Sequence, residues 1–146
     1  MSQENVERLG AWLATRDREV LRAETRPFER INSMAFDSGL YAPDAVYEDG
    51  VLPDHAGEPY RGLDGFNRAG ETWIEQFEWM VVEMERIIDA DEQVVSLHHV
   101  RRKMLHTGIE FEESLAYVST FQGGKVVHTR AYADHAEALK AVGLEE

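Results

Sequence analysis

The segment LAYVSTFQGGKVVHTRAYAD, residues 115–134, decides the fold. Two runs rich in β-branched and aromatic residues flank Gly123-Gly124, and a glycine break between such runs marks a β-hairpin. The same punctuation recurs upstream, as HTG at 106–108 and DADEQ at 89–93. It divides this half of the chain into four strand-like runs, near 78–88, 93–106, 109–122 and 125–133. Connections this short force neighbouring strands to pair antiparallel. After the last run, Asp134 suits an N-cap and Gly143 a stop, which predicts a helix over about 134–142.

Upstream of the strands the period changes. Val6, Leu9, Trp12, Leu13, Val20 and Leu21 recur at helical spacing and predict a helix over 4–25. Arg26-Pro27 ends it, because a residue before proline is pushed out of the helical region. Phe28, Ile31, Met34, Phe36 and Tyr41 suggest a short or broken second helix within 28–42, with Gly39 near its end. Asp44 to Asp49 reads as a short strand, followed by a Gly/Pro/Asp-rich loop to Gly62. Leu63 to Phe77 reads as a helix with Phe66, Trp73, Ile74 and Phe77 on a broad face. Helices first and a meander last give an α+β class, with one curled sheet covering the helices. Tyr132, Val118 and Val127 or their neighbours then fall on the convex face, where an apolar surface suits a partner subunit. A homodimer through that face is the expectation.

The 146 residues are one domain, 1–146, with 43% apolar and 10% aromatic residues, as a folded globule requires. The net charge of −13 repels phosphate backbones and anionic membrane surfaces. No nucleic-acid or membrane partner is expected. No apolar run approaches the ~18 residues of a membrane span. The start, MSQENVERLG, has no basic-then-apolar signal pattern, so a cytoplasmic location is expected. With no cysteine, thiol chemistry and thiolate metal sites are absent. The histidines at 55, 98, 99, 106, 128 and 135 form no helical HxxxH pair, and no metal is expected. GLDGFNRAG, 62–70, lacks the Lys-Ser/Thr of a phosphate loop. No cofactor is expected either.

The stretch DAVYEDGVLPDHAGEPYRG, 44–62, poses a local question. Adjacent strand residues point to opposite faces, so Glu48 and Asp49 cannot both meet the same solvent. If Asp49 points inward beside Val46, Tyr47, Val51 and Leu52, its carboxylate loses hydration and takes up a proton more readily.

This element order, with DAVYEDGV, YRGLDGF and LAYVSTFQGGKVVHTRAYAD at their places, resembles the nuclear transport factor 2-like superfamily. Within it the chain looks most like the SnoaL-like proteins. Ketosteroid isomerases, limonene epoxide hydrolases, polyketide cyclases and scytalone dehydratases share that fold. The resemblance implies a cone: a curved antiparallel sheet wrapped around N-terminal helices, a cystatin-like α+β barrel with a deep apolar pocket. It covers nearly the whole chain and is specific for fold, not for function.

Ketosteroid isomerases carry their general base at the end of the first strand, in a V-x-E-D setting. The resemblance therefore implies that role for Asp49. It puts Tyr117 where that family has a protonated aspartic acid that donates to the developing oxyanion, and a tyrosine hydroxyl can donate the same bond. His98 falls where the epoxide hydrolases carry an arginine. Val100 stands in place of that arginine's aspartate partner, and Ala131 in place of the acid that cyclases and epoxide hydrolases carry on the last strand. Together they speak against epoxide hydrolysis by that mechanism, and the second leaves a cyclase to rely on Asp49. Where the isomerases have an oxyanion-binding tyrosine in the first helix, GAWLAT, 10–15, offers Trp12 and Leu13.

Strand pairing suggests that His98, Val100, Arg102 and Met104 share the pocket face. Val95 and Leu97 argue for the opposite phase, which a bulge would reconcile. Trp73, Phe77, Trp79, Phe111 and Phe121 are expected in the core and pocket walls, with Phe36, Tyr41 and Tyr60 closing the mouth. Trp12, Trp73, Val100, Arg102, Leu115 and Ala131 are the expected substrate contacts, and Asp49, Tyr117 and His98 the expected catalytic groups. The function implied is binding of a small hydrophobic carbonyl compound with cofactor-independent proton transfer: isomerisation, dehydration or aldol-type cyclisation. The alternatives are a non-catalytic ligand-binding or dimerisation module, and a dehydratase with His98 as its base.

Overall fold

The computed structural model describes residues 2–51 and 59–144. Leu9, Trp12 and Leu13 stripe one face of helix α1 (Ser2–Ala14). Helix α1 ends far short of residue 25: the Thr15 hydroxyl closes its last turn on the Trp12 carbonyl, and Arg18 takes a left-handed φ of 63°. Val20 and Leu21 then form β1, paired antiparallel with Val81 and Met80. Their apolar character belongs to a sheet edge and not to a longer helix. A 3₁₀ turn (Ala23–Thr25) leads into α2 (Pro27–Asp37), where proline fits the first turn because no N–H is needed there.

Strand β2 (Tyr41–Asp49) is longer than expected, and its register shifts between Tyr41 and Val46, a stretch holding Pro43. Proline cannot donate to a ladder, so pairing is interrupted around it. Strand β3 (Tyr60–Arg61) leads directly into α3 (Gly62–Ile74). The meander follows as β4 (Phe77–Ala90), β5 (Gln93–Met104), β6 (Glu110–Gln122) and β7 (Lys125–Tyr132), within a few residues of the expected runs. Helix α4 (His135–Ala141) closes the described chain; Asp134 caps it by accepting the Ala136 N–H.

The sheet order is β1-β4-β5-β6-β7-β2-β3. One pairing is parallel, β2 with β7, and it brings Asp49 opposite Ala131. The Gly50 N–H donates to the Ala131 carbonyl at 2.9 Å, and a Cβ on Gly50 would sit 2.5 Å from that oxygen. Only glycine permits this approach. The class is α+β, with a curved open sheet whose concave side packs on α1, α2 and α3.

The phase of β5 is resolved without a bulge in that strand. Val95 and Leu97 are buried on the convex side with Ala116, Val118, Ala138 and Leu139, under α4. Ser96, His98 and Val100 occupy the concave side. The bulges lie in β4 instead, at Phe77/Trp79 and Met84/Arg86. Val118, expected to await a partner subunit, is thus covered by the chain's own last helix, with Tyr132 packed at the edge of that cluster. Among the described residues no helix is long and apolar enough to cross a membrane.

Candidate functional site

Three helices and the concave sheet leave a cavity between them. The space between its surrounding atoms is about 750 Å³, part of it open to solvent. Helix α1 contributes Leu9, Trp12 and Leu13; α2 contributes Phe28, Ile31 and Asn32; α3 contributes Phe66, Ala69, Gly70 and Trp73. The spacings i, i+3, i+4 and i+7 put each set on one helical face. A Cβ on Gly70 would lie 2.5 Å from the Phe28 side chain, so this glycine is what lets α2 and α3 meet over the cavity. The sheet adds Tyr41, Tyr47, Met80, Val82, Ser96, Leu115, Tyr117, Ser119 and Thr129.

The cavity is mostly apolar, with hydroxyls on the sheet side. Burial raises the pKa of Tyr117, carries that of Tyr41 up to about 12 and pushes that of Tyr47 well above its ordinary value. For Tyr117 the positive charge of Arg16 works against burial and partly offsets it. All three are neutral O–H donors at neutral pH.

The last alternate position on β2 holds Asp49, which is buried at 6% exposure, while Glu48 faces outward to His128 (3.0 Å) and Arg130 (3.3 Å). Asp49 does not line the cavity. Its Oδ1 accepts the Val51 N–H at 2.8 Å, and its Oδ2 accepts the indole N–H of Trp73 at 2.6 Å. These are charge-assisted bonds that hold the carboxylate in one orientation. Trp73 has a second polar neighbour: the Arg102 guanidinium stacks 4.1 Å from its ring centroid and 4.6 Å from that of Phe77. Arg102 is also ion-paired with Glu113. Burial lowers the Arg102 pKa to about 10, against the opposing pull of Tyr117 and Asp49. Asp49, Trp73 and Arg102, all singled out from sequence, therefore form one packed layer beside the cavity.

His98 is 1% exposed and lies edge-on to Tyr117, ring centroids 5.3 Å apart. Neither of its ring nitrogens has a hydrogen-bond partner among the described residues. Burial, with Arg16 and His135 adding repulsion, pushes its pKa down to about 2. A neutral imidazole so reluctant to take a proton is a poor general base at neutral pH.

Of the expected contacts, Trp12, Trp73 and Leu115 line the cavity, whereas Val100, Arg102 and Ala131 do not. Val100 and Ala131 are fully buried core residues. Trp12 presents its ring but not its donor, since its indole N–H is bonded to the Ile31 carbonyl at 3.0 Å. Tyr41, expected at the mouth, is a lining residue; Phe36 packs against it and Tyr60 against Tyr47. Leu52 and His55 lie outside the described residues. Among those described, no group of three or more His, Asp or Glu side chains is placed to hold a metal ion.

The residue that sequence reasoning passed over is Arg16. It is 6% exposed and lines the cavity. The signal was present: Arg16 follows Leu9, Trp12 and Leu13 at i+7, i+4 and i+3, a charge placed on the apolar stripe itself.

Solved structures with the same architecture carry low identity and so speak to fold alone. A putative SnoaL-like polyketide cyclase from Jannaschia sp. CCS1 superposes with a TM-score of 0.62 at 12% identity, over 99% of this chain and 95% of that one. TerC, co-crystallised with polyporic acid, gives 0.65 at 16% identity, over 95% and 98%. A de novo designed protein with a curved β-sheet gives 0.56 at 16%, over 97% and 94%. Comparison with curated proteins yields no match. The model of the SnoaL-like domain matches residues 25–129, well over half of the sequence, from just before α2 to within β7, and the chain belongs to that family.

Proposed function

We propose that the cone binds a small hydrophobic carbonyl compound, with the Tyr117 hydroxyl donating to its carbonyl oxygen. The observation that carries this is a buried, neutral phenol on the wall of a mostly apolar cavity. A buried donor of this kind strengthens as negative charge develops on the oxygen it faces. The co-crystallisation of TerC with polyporic acid supports a related cone as a place for a small organic molecule.

A second reading adds cofactor-independent proton transfer with Asp49 as base. What favours it is a buried carboxylate bonded directly to Trp73, a residue of the cavity wall. Each Asp49 oxygen accepts one N–H bond and keeps a second lone pair, so a substrate proton has to be brought to it past Trp73. Against His98 as the base stands its neutral, weakly basic ring.

One ketone probe separates the readings. 2-Acetylnaphthalene is titrated against the intrinsic tryptophan fluorescence, and exchange of its methyl protons in D₂O is followed by NMR. Binding together with exchange above buffer, reduced about a hundredfold or more in Asp49→Asn, supports proton transfer. Binding without exchange leaves a ligand-binding module. Absence of binding at millimolar concentration removes the pocket function altogether.

A further inference from the structure

We propose that the cavity takes a ligand bearing a carboxylate, and that Arg16 is the residue that receives it. This rests on the cone being a ligand pocket and adds the chemical class of what it holds. Among the described residues lining the cavity, Arg16 is the one charged side chain. The protein has 28 acidic residues, yet none of those described stands within 4.0 Å of this guanidinium. Its neighbour Asp17 is directed elsewhere, accepting the Met84 N–H at 2.6 Å and lying 4.0 Å from Arg18. What Arg16 does have is two ring faces, Trp12 and Tyr117, at 5.8 and 5.9 Å from their centroids. Such contacts attract a cation but leave its hydrogen-bond donors unused.

An uncompensated charge in an apolar enclosure is costly, and proteins that keep one pair it. Here the partner is not supplied by the described chain. The side chain lines the cavity, and its guanidinium nitrogens are not among the described polar atoms that are both occluded and unbonded. The backbone around Arg16 is fixed from both sides. Its N–H donates to Leu13 and its carbonyl accepts from Glu19, while the Arg18 N–H is bonded to Val82 of β4. A preorganised fork of N–H donors facing a cavity matches a carboxylate bidentately. With a single cation and walls such as Leu9, Leu13, Ile31, Phe66 and Trp73, the fit is to a monoanion with an apolar body. The net charge of −13 works against unspecific anion binding, so recognition has to be local.

The test compares naphthalene-2-carboxylate with 2-acetylnaphthalene, nearly equal in size, by calorimetric titration at pH 7. Wild type is expected to bind the carboxylate about tenfold more tightly or better. Arg16→Met should abolish the preference while still binding the ketone, and Arg16→Lys should retain part of it. Equal affinities in wild type, or a preference that survives Arg16→Met, overturn the proposal and leave the pocket standing. Failure of both probes to bind at millimolar concentration overturns the pocket and the proposal together. The wild-type pair alone decides the matter if Arg16→Met does not fold.

Discussion

Arg16 and Arg102 are both buried, at 6% and 2% exposure, and both lie within electrostatic reach of Tyr117, yet their surroundings differ. Arg102 is packed on three sides: stacked on Trp73 and Phe77, with Phe111 at 5.9 Å, and ion-paired with Glu113. Arg16 has ring faces and, among the described residues, no carboxylate, and it lines the cavity. The inner face of β5 joins the two regions. Ser96 borders the cavity, His98 and Val100 follow, and the Arg102 backbone comes on the order of 20 Å further along the strand, with its guanidinium stacked on the cavity-lining Trp73. The same side-chain chemistry is thus paired at one position and open to the cavity at the other. What separates them is whether the described residues supply the counter-charge.

Substituting both arginines by methionine is the first way to break this contrast. Arg102→Met should lose about 3 kcal/mol in denaturant unfolding, because Glu113 is left without its partner and two aromatic faces lose a cation. A near-neutral result would show that Arg102 is no better compensated than Arg16.

His98, between the two, supplies a test in pH. Its pKa in the native state is about 2, against 6.5 for the exposed group. The unfolded chain therefore binds a proton below pH 6.5 that the native state refuses, so stability falls as pH falls through this window. Between pH 7 and pH 4.5 wild type should lose about 2–3 kcal/mol more than His98→Leu. Parallel pH–stability curves would mean that His98 is protonated in the native state, and that the wall behind Tyr117 is wetter than described.

Arg16→Met should act in the opposite direction from Arg102→Met and gain about 1–2 kcal/mol without ligand, since it removes an uncompensated charge. A loss of stability would point to a partner for Arg16 within the protein. The smallest effect belongs to Tyr117→Phe. It should leave the thermal midpoint nearly unchanged and weaken 2-acetylnaphthalene about three- to tenfold, the worth of one hydrogen bond.

The fold was legible where turn chemistry is local. Gly123 and Gly124 take φ of 61° and 79° in the expected hairpin, Asp134 caps α4, and Gly143 follows it at φ 82°. Those residues announce their conformations whatever surrounds them. The parallel pairing of β2 with β7 was not legible, because it joins segments some eighty residues apart. The phase of β5 was ambiguous for a similar reason: Val95 and Leu97 are apolar on account of α4, a helix forty residues downstream.

The site was legible in its residue types more than in its arrangement. The inward turn of Asp49 follows from strand alternation once Glu48 is outside. Its capture by Trp73, a residue of a different element, does not. Arg16 was hidden for another reason. A charge near the end of an apolar stripe looks like the end of the stripe, and only the packing of α1 against the sheet shows that the stripe continues through it.

The most direct measurement of the central contrast is an NMR titration of the arginine Nε–Hε signals with naphthalene-2-carboxylate. The Arg16 signal should move with the ligand and saturate, while the Arg102 signal stays in place. Movement of Arg102 with Arg16 unmoved, or stillness of both while the ligand binds, would contradict the contrast between a paired arginine and a receptive one.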